Sequence, residues 1–489
     1  MSVQVLLCGK LLGIEEFLLS AAGAPNGAPD AAREARILSG RSHWVSLLSE
    51  VLPRALLAEL GLARVLLGSS GGGQFLLVLP DEARSTALEF LETANGAIHE
   101  MSGGLLRLVS TVTENLGDWS VVRKRLGEDL PRKPGARPGG ISPDSFVPYD
   151  EPAPPATDDY FTELALGLWQ AETVGWNPEA PARILIGAGK HAWSLVPNRG
   201  IEDISLARHA APSEDGAGPA DLRTLAARAE GRHTWGVLRG DVDTFRIRLR
   251  RAQTVEEHVR LSVVYRQLFA GELEVLCSQP EFWRKVTVLY SAGDDFAVYG
   301  AWDALIPLAR EMQRLFHRFT EEHLKDFPGP EGKTISAAIA LAPEPDTSLA
   351  WVFSEAGSRL EQAKDVDKDC ISVMGRVLEW RHLADAAELK ETLARMVPEL
   401  GSSGQFLSEL TAFYHKGGQI WSRGAVQRFD RPWRFQCRLN RVLAGAKDRE
   451  FQKLRAHLAN EMMGRGAAQV KLRPAGLVAL EWARLSTEV

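Results

Sequence analysis

The amino-acid sequence predicts an α+β fold with two ferredoxin-like domains, a connector between them and a C-terminal all-helical domain. Three observations lead to this prediction. A β-hairpin, a helix and a strand follow one another in the same order twice, within residues 1–127 and again within residues 231–380. Residues 128–230 separate the two copies and contain a stretch rich in proline and glycine. In residues 381–489 the apolar side chains recur at helical spacing.

The composition is that of a globular protein with several domains. The chain has 489 residues, of which 45% are hydrophobic and 25% are charged, and its formal net charge is −6. No apolar run is long enough to span a membrane and no signal peptide precedes the first predicted strand, so we expect a cytoplasmic protein. The four cysteines are far apart and form no CxxC pair, which argues against a zinc ribbon or disulfide framework and predicts buried free thiols.

The first copy carries glycine where its hairpin turns. Its predicted elements are a strand at residues 3–7, a short helix from residue 14, a helix at 38–62, a hairpin at 63–80, a helix at 81–95 and a strand at 105–112. The hairpin turn consists of Gly71, Gly72 and Gly73. A glycine triplet is typical of a plain flexible turn, and it also lets a ligand approach the backbone closely.

The connector begins without regular structure. Eight prolines fall within residues 131–155, together with Gly135, Gly139 and Gly140, and this composition disfavours both helix and strand. Beyond it the pattern predicts a helix at residues 161–171 and a strand at 183–187, followed by a loop over residues 196–220.

The second copy has the order βαββαβ with carboxylates at its turns. The predicted elements are a strand at residues 235–238, a long helix at 255–276, a hairpin at 285–300, a helix at 303–323, a strand at 335–342, a helix at 349–364 and a strand at 370–374. Asp241 and Asp243 follow the first of these strands. The hairpin turns through Ser291, Ala292, Gly293, Asp294 and Asp295.

The pattern of aspartates indicates a metal site. Adjacent carboxylates repel each other, and they become useful when a divalent cation neutralises them, since Mg²⁺ prefers hard oxygen ligands. A carboxylate at a strand end, Asp241, beside the hairpin pair Asp294 and Asp295 is the arrangement that two-metal nucleotidyl transfer requires. The alternative for the hairpin pair is a solvated turn. Asp243 would lie on the same strand face as Asp241, or it would cap the following helix.

These segments resemble a known family. Residues 240–245 (GDVDTF), 290–300 (YSAGDDFAVYG), 334–341 (TISAAIAL) and the pair Ala363 and Lys364 resemble the second palm domain of the large subunit of type III CRISPR–Cas effector complexes, a relative of GGDEF nucleotide cyclases. The family's hairpin usually reads GGDD, whereas here alanine replaces the first glycine. The segments LLGIEEF, LSGRSHW and the glycine hairpin resemble that family's first palm, which carries no carboxylates at its turn.

The resemblance implies an enzyme that joins ATP molecules into cyclic oligoadenylate in a cleft between the two palms. It implies catalytic roles for Asp241, Asp294 and Asp295, which would bind Mg²⁺ or Mn²⁺ with Asp243 as a further ligand. The nucleotide contacts it implies are Ser291, Ala292, Gly293, Lys364, Gly71, Gly72 and Gly73. Two alternatives stay open, because Ser291 could cap the hairpin and Lys364 could pair with Asp365 or Asp367.

The resemblance also implies partners. We expect other effector subunits, a guide RNA and a target RNA in a prokaryotic cytoplasm, without an obligate homo-oligomer and without a membrane. Many members of the family carry an HD nuclease domain with a His-Asp dipeptide. None of the eleven histidines here precedes aspartate and the first palm starts within ten residues of Met1, so we expect no such domain. The connector also lacks the cysteines with which relatives bind zinc.

The C-terminal region is basic. Thirteen arginines and lysines but only four acids fall within residues 421–475 of a chain whose net charge is negative. Arginine pairs readily with phosphate and neighbouring aromatic rings stack on bases, so the candidate nucleic-acid contacts are Arg428, Arg431, Arg434, Arg438 and Arg441. The alternative is a solvated helical face.

Two other functions compete with the synthase hypothesis. The palms could be a catalytically silent scaffold of the same complex, because Ala292 departs from the usual motif. The chain could also be a stand-alone GGDEF-like cyclase. The duplicated palm and the C-terminal helices argue against that alternative, because a single cyclase domain would need a second copy from a dimer.

Overall fold

The computed structural model describes most of the chain. The described residues are 4–20, 30–130, 157–195, 203–291, 293–399, 463–465 and 470–488, together with residues 407, 408, 410, 411 and 437. Two α+β units, residues 4–130 and 235–379, are called here the first unit and the second unit. No helix among the described residues is both long enough and apolar enough to cross a membrane.

The first unit is a four-stranded antiparallel sheet with helices packed on it. Its elements are β1 (Gln4–Leu12), α1 (Ile14–Leu19), α2 (Ala31–Glu59), β2 (Leu67–Gly71), β3 (Gln74–Pro80), α3 (Arg84–Met101), β4 (Arg107–Glu114) and α4 (Trp119–Asp129). The strand order is β2-β3-β1-β4, the order of a ferredoxin-like fold. We call β2, its turn and β3 the glycine hairpin. The α2 helix begins where the Asp30 carboxylate accepts a hydrogen bond from the Arg33 backbone N–H (2.8 Å).

The second unit repeats that order and extends it. Its elements are β8 (Trp235–Val242), α7 (Phe245–Arg250), α8 (Val255–Gln267), a π-helical turn (Leu268–Glu272), α9 (Leu273–Cys277), β9 (Val286–Ser291), β10 (Asp295–Ala301), α10 (Trp302–His323), β11 (Ile335–Leu341), α11 (Leu349–Val366), β12 (Cys370–Val373) and β13 (Arg376–Glu379). The sheet order is β13-β12-β11-β8-β10-β9. The four adjacent strands β11, β8, β10 and β9 confirm the predicted βαββαβ unit. We call β9, its turn and β10 the acidic hairpin.

The connector is a small subdomain that packs on the first unit. It contains α5 (Asp158–Leu168), β5 (Thr173–Trp176), β6 (Leu185–Ile186), β7 (His191–Ser194) and α6 (Leu222–Ala227). The three strands form a sheet of order β6-β5-β7, of which the sequence predicted only β6. The Trp44 indole donates to the Ala182 carbonyl oxygen (2.7 Å), and Arg41 pairs with Asp158 (3.1 Å). The apolar core of the connector is therefore continuous with that of the first unit.

The C-terminal region adds helices to the second unit. It contains α12 (Trp380–Glu399) and α13 (Pro474–Thr487), whose apolar faces belong to the core of the second unit. A hairpin of two short strands, β14 (Met463–Arg465) and β15 (Val470–Leu472), interrupts the helical pattern that the sequence predicted throughout this region. The five arginines predicted as nucleic-acid contacts, Arg428, Arg431, Arg434, Arg438 and Arg441, lie outside the described residues.

The cysteines only partly match the prediction of buried thiols. Cys277 and Cys370 are buried, Cys8 is half-buried, and Cys437 is exposed. All four are free. The absence of a disulfide is what the spacing predicted, whereas the exposure of Cys437 was not expected.

The α2 helix joins the two units. The helix is buried along most of its length, because it packs both on the first unit and against β9 and α11 of the second. Near its start, the Glu34 carboxylate accepts hydrogen bonds from the Ser348 hydroxyl (2.5 Å) and the Ala350 backbone N–H (3.3 Å), at the beginning of α11. Both contacts are buried. The two units therefore share a core and face each other across a fixed interface.

Candidate active site

The strand register places Asp241 and Asp295 opposite each other on β8 and β10. One residue earlier in the turn, the Asp294 carbonyl oxygen accepts a hydrogen bond from the Val242 N–H (2.8 Å). A glycine precedes Asp241 because the Phe296 ring lies over that position: a Cβ atom on Gly240 would be 2.3 Å from the ring. The Gly-Asp sequence and the acidic hairpin therefore fit together and bring three aspartates to one edge of the sheet.

The three carboxylates are half-buried and influence one another. Burial raises the pKa of Asp294 to about 7, and the neighbouring charges of Asp295 and Asp241 raise it further. Burial likewise raises the pKa of Asp241 to about 6, although the Lys364 ammonium opposes this rise. The pKa of Asp295 is also raised by burial. Groups with such shifted pKa values are typical of functional sites.

Lys364 and Tyr290 hold two of these carboxylates. The Lys364 Nζ atom lies 2.5 Å from Oδ2 of Asp241. The sequence suggested Asp365 or Asp367 as partners for this lysine, and that prediction is wrong, because the end of α11 directs the ammonium towards β8. The Tyr290 hydroxyl donates to Oδ2 of Asp295 (3.1 Å). No donor in the described part of the chain bonds to the Asp294 carboxylate, which leaves it open to a ligand.

Asp243 has a structural role, contrary to the metal-binding role that was predicted. Its carboxylate accepts hydrogen bonds from the Thr334 hydroxyl (2.8 Å), the Ser336 hydroxyl (2.8 Å) and the Asp369 backbone N–H (2.9 Å). The alternative prediction of a helix cap is also wrong, since Thr244 occupies the N-cap position of α7. The side chain is buried and faces β11 and the start of β12, so it joins three segments of the second unit.

The turn of the acidic hairpin also differs from the prediction. The Ser291 hydroxyl neither caps the hairpin nor points to a ligand, because it donates to the carbonyl oxygen of Phe269 in the π-helical turn. A Cβ atom on Gly293 would meet no atom within 4 Å, so this glycine is not required by packing. Ala292, whose replacement of glycine raised the question of activity, lies outside the described residues.

The glycine hairpin of the first unit occupies the equivalent place. The Gly73 carbonyl oxygen accepts a hydrogen bond from the Leu11 N–H (2.7 Å), as that of Asp294 does from Val242. Gly71, Gly72 and Gly73 all have positive φ (118°, 61° and 74°), a conformation that favours glycine. The triplet is therefore required by the backbone of the turn. The sequence left a plain flexible turn open as an alternative.

A cavity of about 360 Å³ lies between the two hairpins. From the first unit it is lined mainly by Ile14, Glu15, Ser42, Val45, Gly72 and Gly73. From the second unit it is lined by Arg239, Arg246, Tyr290, Asp295 and Phe353. Gly72, Gly73 and Asp295 thus face one space, as the resemblance implied. The other four lining residues of the second unit were not predicted from the sequence, although Arg239 and Arg246 directly flank the GDVDTF motif.

The aspartates of this site can bind a divalent cation only if other ligands complete its coordination shell. Among the described residues, no three histidine, cysteine or acidic side chains lie close enough together to hold a metal ion, so the predicted cluster of Asp241, Asp243, Asp294 and Asp295 is not a preformed cage. Mg²⁺ in nucleotide enzymes is commonly bound by one or two carboxylates, with phosphate oxygens and waters completing its shell. Asp241 and Asp294 meet that requirement, with the Lys364 ammonium balancing part of their charge.

Comparison with known proteins confirms the resemblance that the motifs predicted. Residues 234–372 match the second palm domain of the Cas10/Cmr2 family. A Cas10/Csm1 single-strand-specific deoxyribonuclease of subtype III-A from Mycobacterium tuberculosis is 23% identical over 451 residues, which cover 72% of this chain and 54% of the relative. The corresponding protein of Thermococcus onnurineus is 30% identical over 148 residues, which cover 28% of this chain and 16% of that protein. The chain thus spans about half the length of the first of these relatives.

Solved structures share the fold. Csm1 of T. onnurineus superposes with a TM-score of 0.69 at 17% identity, covering 100% of this chain and 70% of that one. A Csm1–Csm4 cassette in complex with cA3 gives the same TM-score and identity and covers 99% of this chain. At this identity the likeness establishes the arrangement of the two palm units and the C-terminal helices.

Proposed function

Because this chain is a relative of the palm-containing large subunits of type III CRISPR effector complexes, we propose that it joins ATP molecules into cyclic oligoadenylate. The observation that carries the proposal is the carboxylate edge of the second unit. Asp241 and Asp295 lie opposite each other, Asp294 is free of internal donors among the described residues, and Asp295 lines one cavity together with Gly72 and Gly73 of the glycine hairpin. Two nucleotides facing each other across this space would be suitably placed to react.

In the proposed reaction the 3′-hydroxyl of one ATP attacks the α-phosphate of another. A new P–O bond forms at that phosphorus, the bond to the β-phosphate oxygen breaks, and pyrophosphate leaves. Asp241 and Asp294 would hold Mg²⁺ or Mn²⁺ together with phosphate oxygens, and such an ion makes the hydroxyl more acidic and neutralises charge on the phosphates. Asp295, held by Tyr290, would orient the acceptor.

The remaining groups have roles that follow from their positions. Lys364 would exchange its contact with Asp241 for a triphosphate oxygen, since an ammonium group binds phosphate as a point charge. Gly72 and Gly73 line the cavity without side chains and would allow the second nucleotide to approach the backbone closely. Of the predicted nucleotide contacts, Lys364, Gly72 and Gly73 keep that role in the proposal, whereas the Ser291 hydroxyl bonds inside the protein.

The proposal includes partners. Related Csm1 chains have been solved as Csm1–Csm4 cassettes and as a subcomplex of the type III-A Csm interference complex. We therefore propose that this chain assembles with other effector subunits, a guide RNA and a target RNA, and that binding of target RNA triggers synthesis.

The alternative within the same complex is a catalytically silent scaffold. One observation favours it: alanine stands at position 292, where the family's hairpin usually has glycine. In this case the two units would fold and assemble as described but would not convert ATP.

One experiment separates the two functions. The chain, purified with its effector subunits and guide RNA, is incubated with target RNA, ATP and Mg²⁺ or Mn²⁺, and the products are identified by mass spectrometry. Synthesis of cyclic oligoadenylate that disappears in the double variant Asp294→Ala and Asp295→Ala would support the synthase. Normal assembly without any product would select the scaffold. A chain that does not co-purify with RNA or other subunits would point to a stand-alone cyclase.

A further inference from the structure

A buried ion pair ties the second unit to the glycine hairpin of the first. The Glu50 carboxylate in α2 lies 2.9 Å from Nη2 of Arg266 in α8, and Glu50 is only 4% exposed. The same Glu50 oxygen, Oε2, also accepts hydrogen bonds from Arg54 (2.6 Å) and from the Ser70 hydroxyl (2.9 Å). Ser70 directly precedes the glycine triplet. Arg266 thus reaches from the second unit to the base of the glycine turn.

The ion pair contributes little to stability, but it restricts the position of the second unit relative to the glycine hairpin. Burial would raise the pKa of Glu50, but the charges of Arg266 and Arg54 outweigh that effect and hold the pKa below its ordinary value. The carboxylate is therefore ionised at neutral pH. The cost of removing two charges from water roughly cancels their attraction, so a buried pair of this kind contributes little net free energy, while its hydrogen bonds restrict geometry.

Arg266 is the second-last residue of α8, in the turn of helix that leads into the π-helical turn. Three residues further on, Phe269 is fully buried and its carbonyl oxygen accepts the hydrogen bond from the Ser291 hydroxyl. The ring of Phe269 stacks on that of Phe296, with centroids 5.9 Å apart and planes inclined by 28°. A π-helical turn inside an α-helix is uncommon and occurs frequently at functional sites.

Ser291 and Phe296 stand on either side of the turn that carries Asp294 and Asp295. The π-helical turn therefore contacts both strands of the acidic hairpin, while Arg266 at the end of α8 contacts Ser70 of the glycine hairpin (3.3 Å). A continuous set of contacts joins the two hairpins through the protein, on a path separate from the cavity between them. Movement of one hairpin relative to the other would strain this path.

We propose that Arg266 and Ser291 are positioning residues that set the acidic hairpin relative to the glycine hairpin through the π-helical turn. Their effect on catalysis rests on the proposed function, whereas their effect on the acidic hairpin does not. Arg266 touches neither the cavity nor the three aspartates, so its influence passes through Phe269 and Ser291. The two residues act on the same element, and their substitutions should therefore not have independent effects.

The first test measures the acidic hairpin directly and needs no activity. Hydrogen–deuterium exchange followed by mass spectrometry is compared for the full-length wild type and the variants Arg266→Gln and Arg266→Lys. Arg266→Gln should speed exchange in residues 286–301 by about tenfold, because local opening becomes easier. Arg266→Lys should give a smaller increase, since lysine keeps the charge and loses the fork of donors.

The matched control is Arg41→Gln, which breaks another buried ion pair of α2, with Asp158 of α5 (3.1 Å). It should leave exchange in residues 286–301 at the wild-type rate. Unchanged exchange in the acidic hairpin of Arg266→Gln, or an increase spread evenly over the whole chain, would overturn the proposal whether or not the protein makes oligoadenylate.

The second test is a double-mutant cycle on the rate of synthesis. Arg266→Gln and Ser291→Ala should each lower kcat by about tenfold with little change in the KM for ATP, because they displace the carboxylates without removing a nucleotide contact. The double variant should be at most about threefold slower than the slower single variant. Losses that multiply, or a rise in KM at unchanged kcat, would contradict shared positioning. A wild type without product would remove the synthase function and leave the exchange test to decide.

Discussion

Lys10 and Asp241 occupy the same register position in the two sheets. Lys10 is paired with Gln74 across β1 and β3, and Asp241 is paired with Asp295 across β8 and β10. In each unit the next pair is a glycine under a phenylalanine ring, Gly9 with Phe75 in the first unit. The units thus keep the same backbone and packing, but an amine and an amide replace two carboxylates in the first. Of these two equivalent positions, only the one in the second unit therefore offers carboxylates to a divalent cation.

The raised pKa values of Asp294 and Asp241 predict how stability depends on pH. Both lie above their ordinary value of 3.8, at about 7 and about 6, so the folded chain binds more protons than the unfolded chain between roughly pH 4 and 7. The free energy of unfolding should therefore fall as pH rises through this window, in the absence of divalent cations. Asp294→Asn should reduce this dependence. Urea denaturation at pH 5, 6, 7 and 8 measures it, and parallel curves for both proteins would contradict the prediction.

Activity should show the opposite dependence on pH. Metal binding requires ionised carboxylates, so the rate of synthesis should fall as the pH is lowered below about 7, where Asp294 takes up a proton. Higher Mg²⁺ concentration should move the midpoint of this profile to lower pH, because the cation competes with protons. A profile that does not shift with Mg²⁺ would show that other groups control the rate.

Removing Lys364 should affect the site more than removing a neighbouring lysine. Lys364→Met deletes the ammonium that balances Asp241 and, in the proposed reaction, contacts the triphosphate. We expect a loss of about 10²-fold in kcat/KM for ATP, the size typical of one lost electrostatic contact at a reacting phosphate. Lys368→Met, at an exposed position just beyond α11, is the control and should keep wild-type kinetics. Equal kinetics for both variants would exclude Lys364 from the site.

Replacement by asparagine should lower the free energy of unfolding at Asp243 and raise it at Asp294. Asp243→Asn disturbs the three hydrogen bonds that its carboxylate accepts, one of them fully buried, and should lower the free energy of unfolding by about 2–3 kcal/mol. Asp294→Asn relieves repulsion among the carboxylates and should raise it at pH 8. Both values come from urea denaturation without metal. If Asp243→Asn instead raised the free energy of unfolding, the structural role would be contradicted and Asp243 would again be a candidate metal ligand.

Replacing glycine by alanine should cost stability at Gly73 of the glycine hairpin but not at Gly293 of the acidic hairpin. Gly73 has a φ of 74°, and a Cβ atom there would be 2.6 Å from the Ile14 side chain, so Gly73→Ala should cost about 1–2 kcal/mol of stability. A Cβ atom on Gly293 would meet no atom of the described residues within 4 Å, so Gly293→Ala should be nearly neutral. Thermal unfolding of both variants tests this difference, and equal melting temperatures would contradict it.

The sequence alone determined the repeated order of elements and the residues of the acidic hairpin. Strand alternation, helical spacing and glycine-containing turns are local signals, so the order of helices and strands in both units followed from them. The same locality explains why Asp241, Asp294 and Asp295 were found, since each adjoins a strand end. The short strands β5 and β7 of the connector were missed because their four-residue segments carry little periodicity.

Only the tertiary structure decided what the neighbouring side chains do. Asp243 accepts hydrogen bonds from Thr334 and Ser336, about ninety residues away, and Lys364 pairs most closely with Asp241 on β8. Ser291 bonds to the π-helical turn, which no local pattern predicted. These outcomes depend on which distant segments pack together. Hydrogen-bond donors that are buried between them lose contact with water and must find a partner within the protein. Such competition is settled by burial in the folded protein, and it leaves no local signal in the sequence.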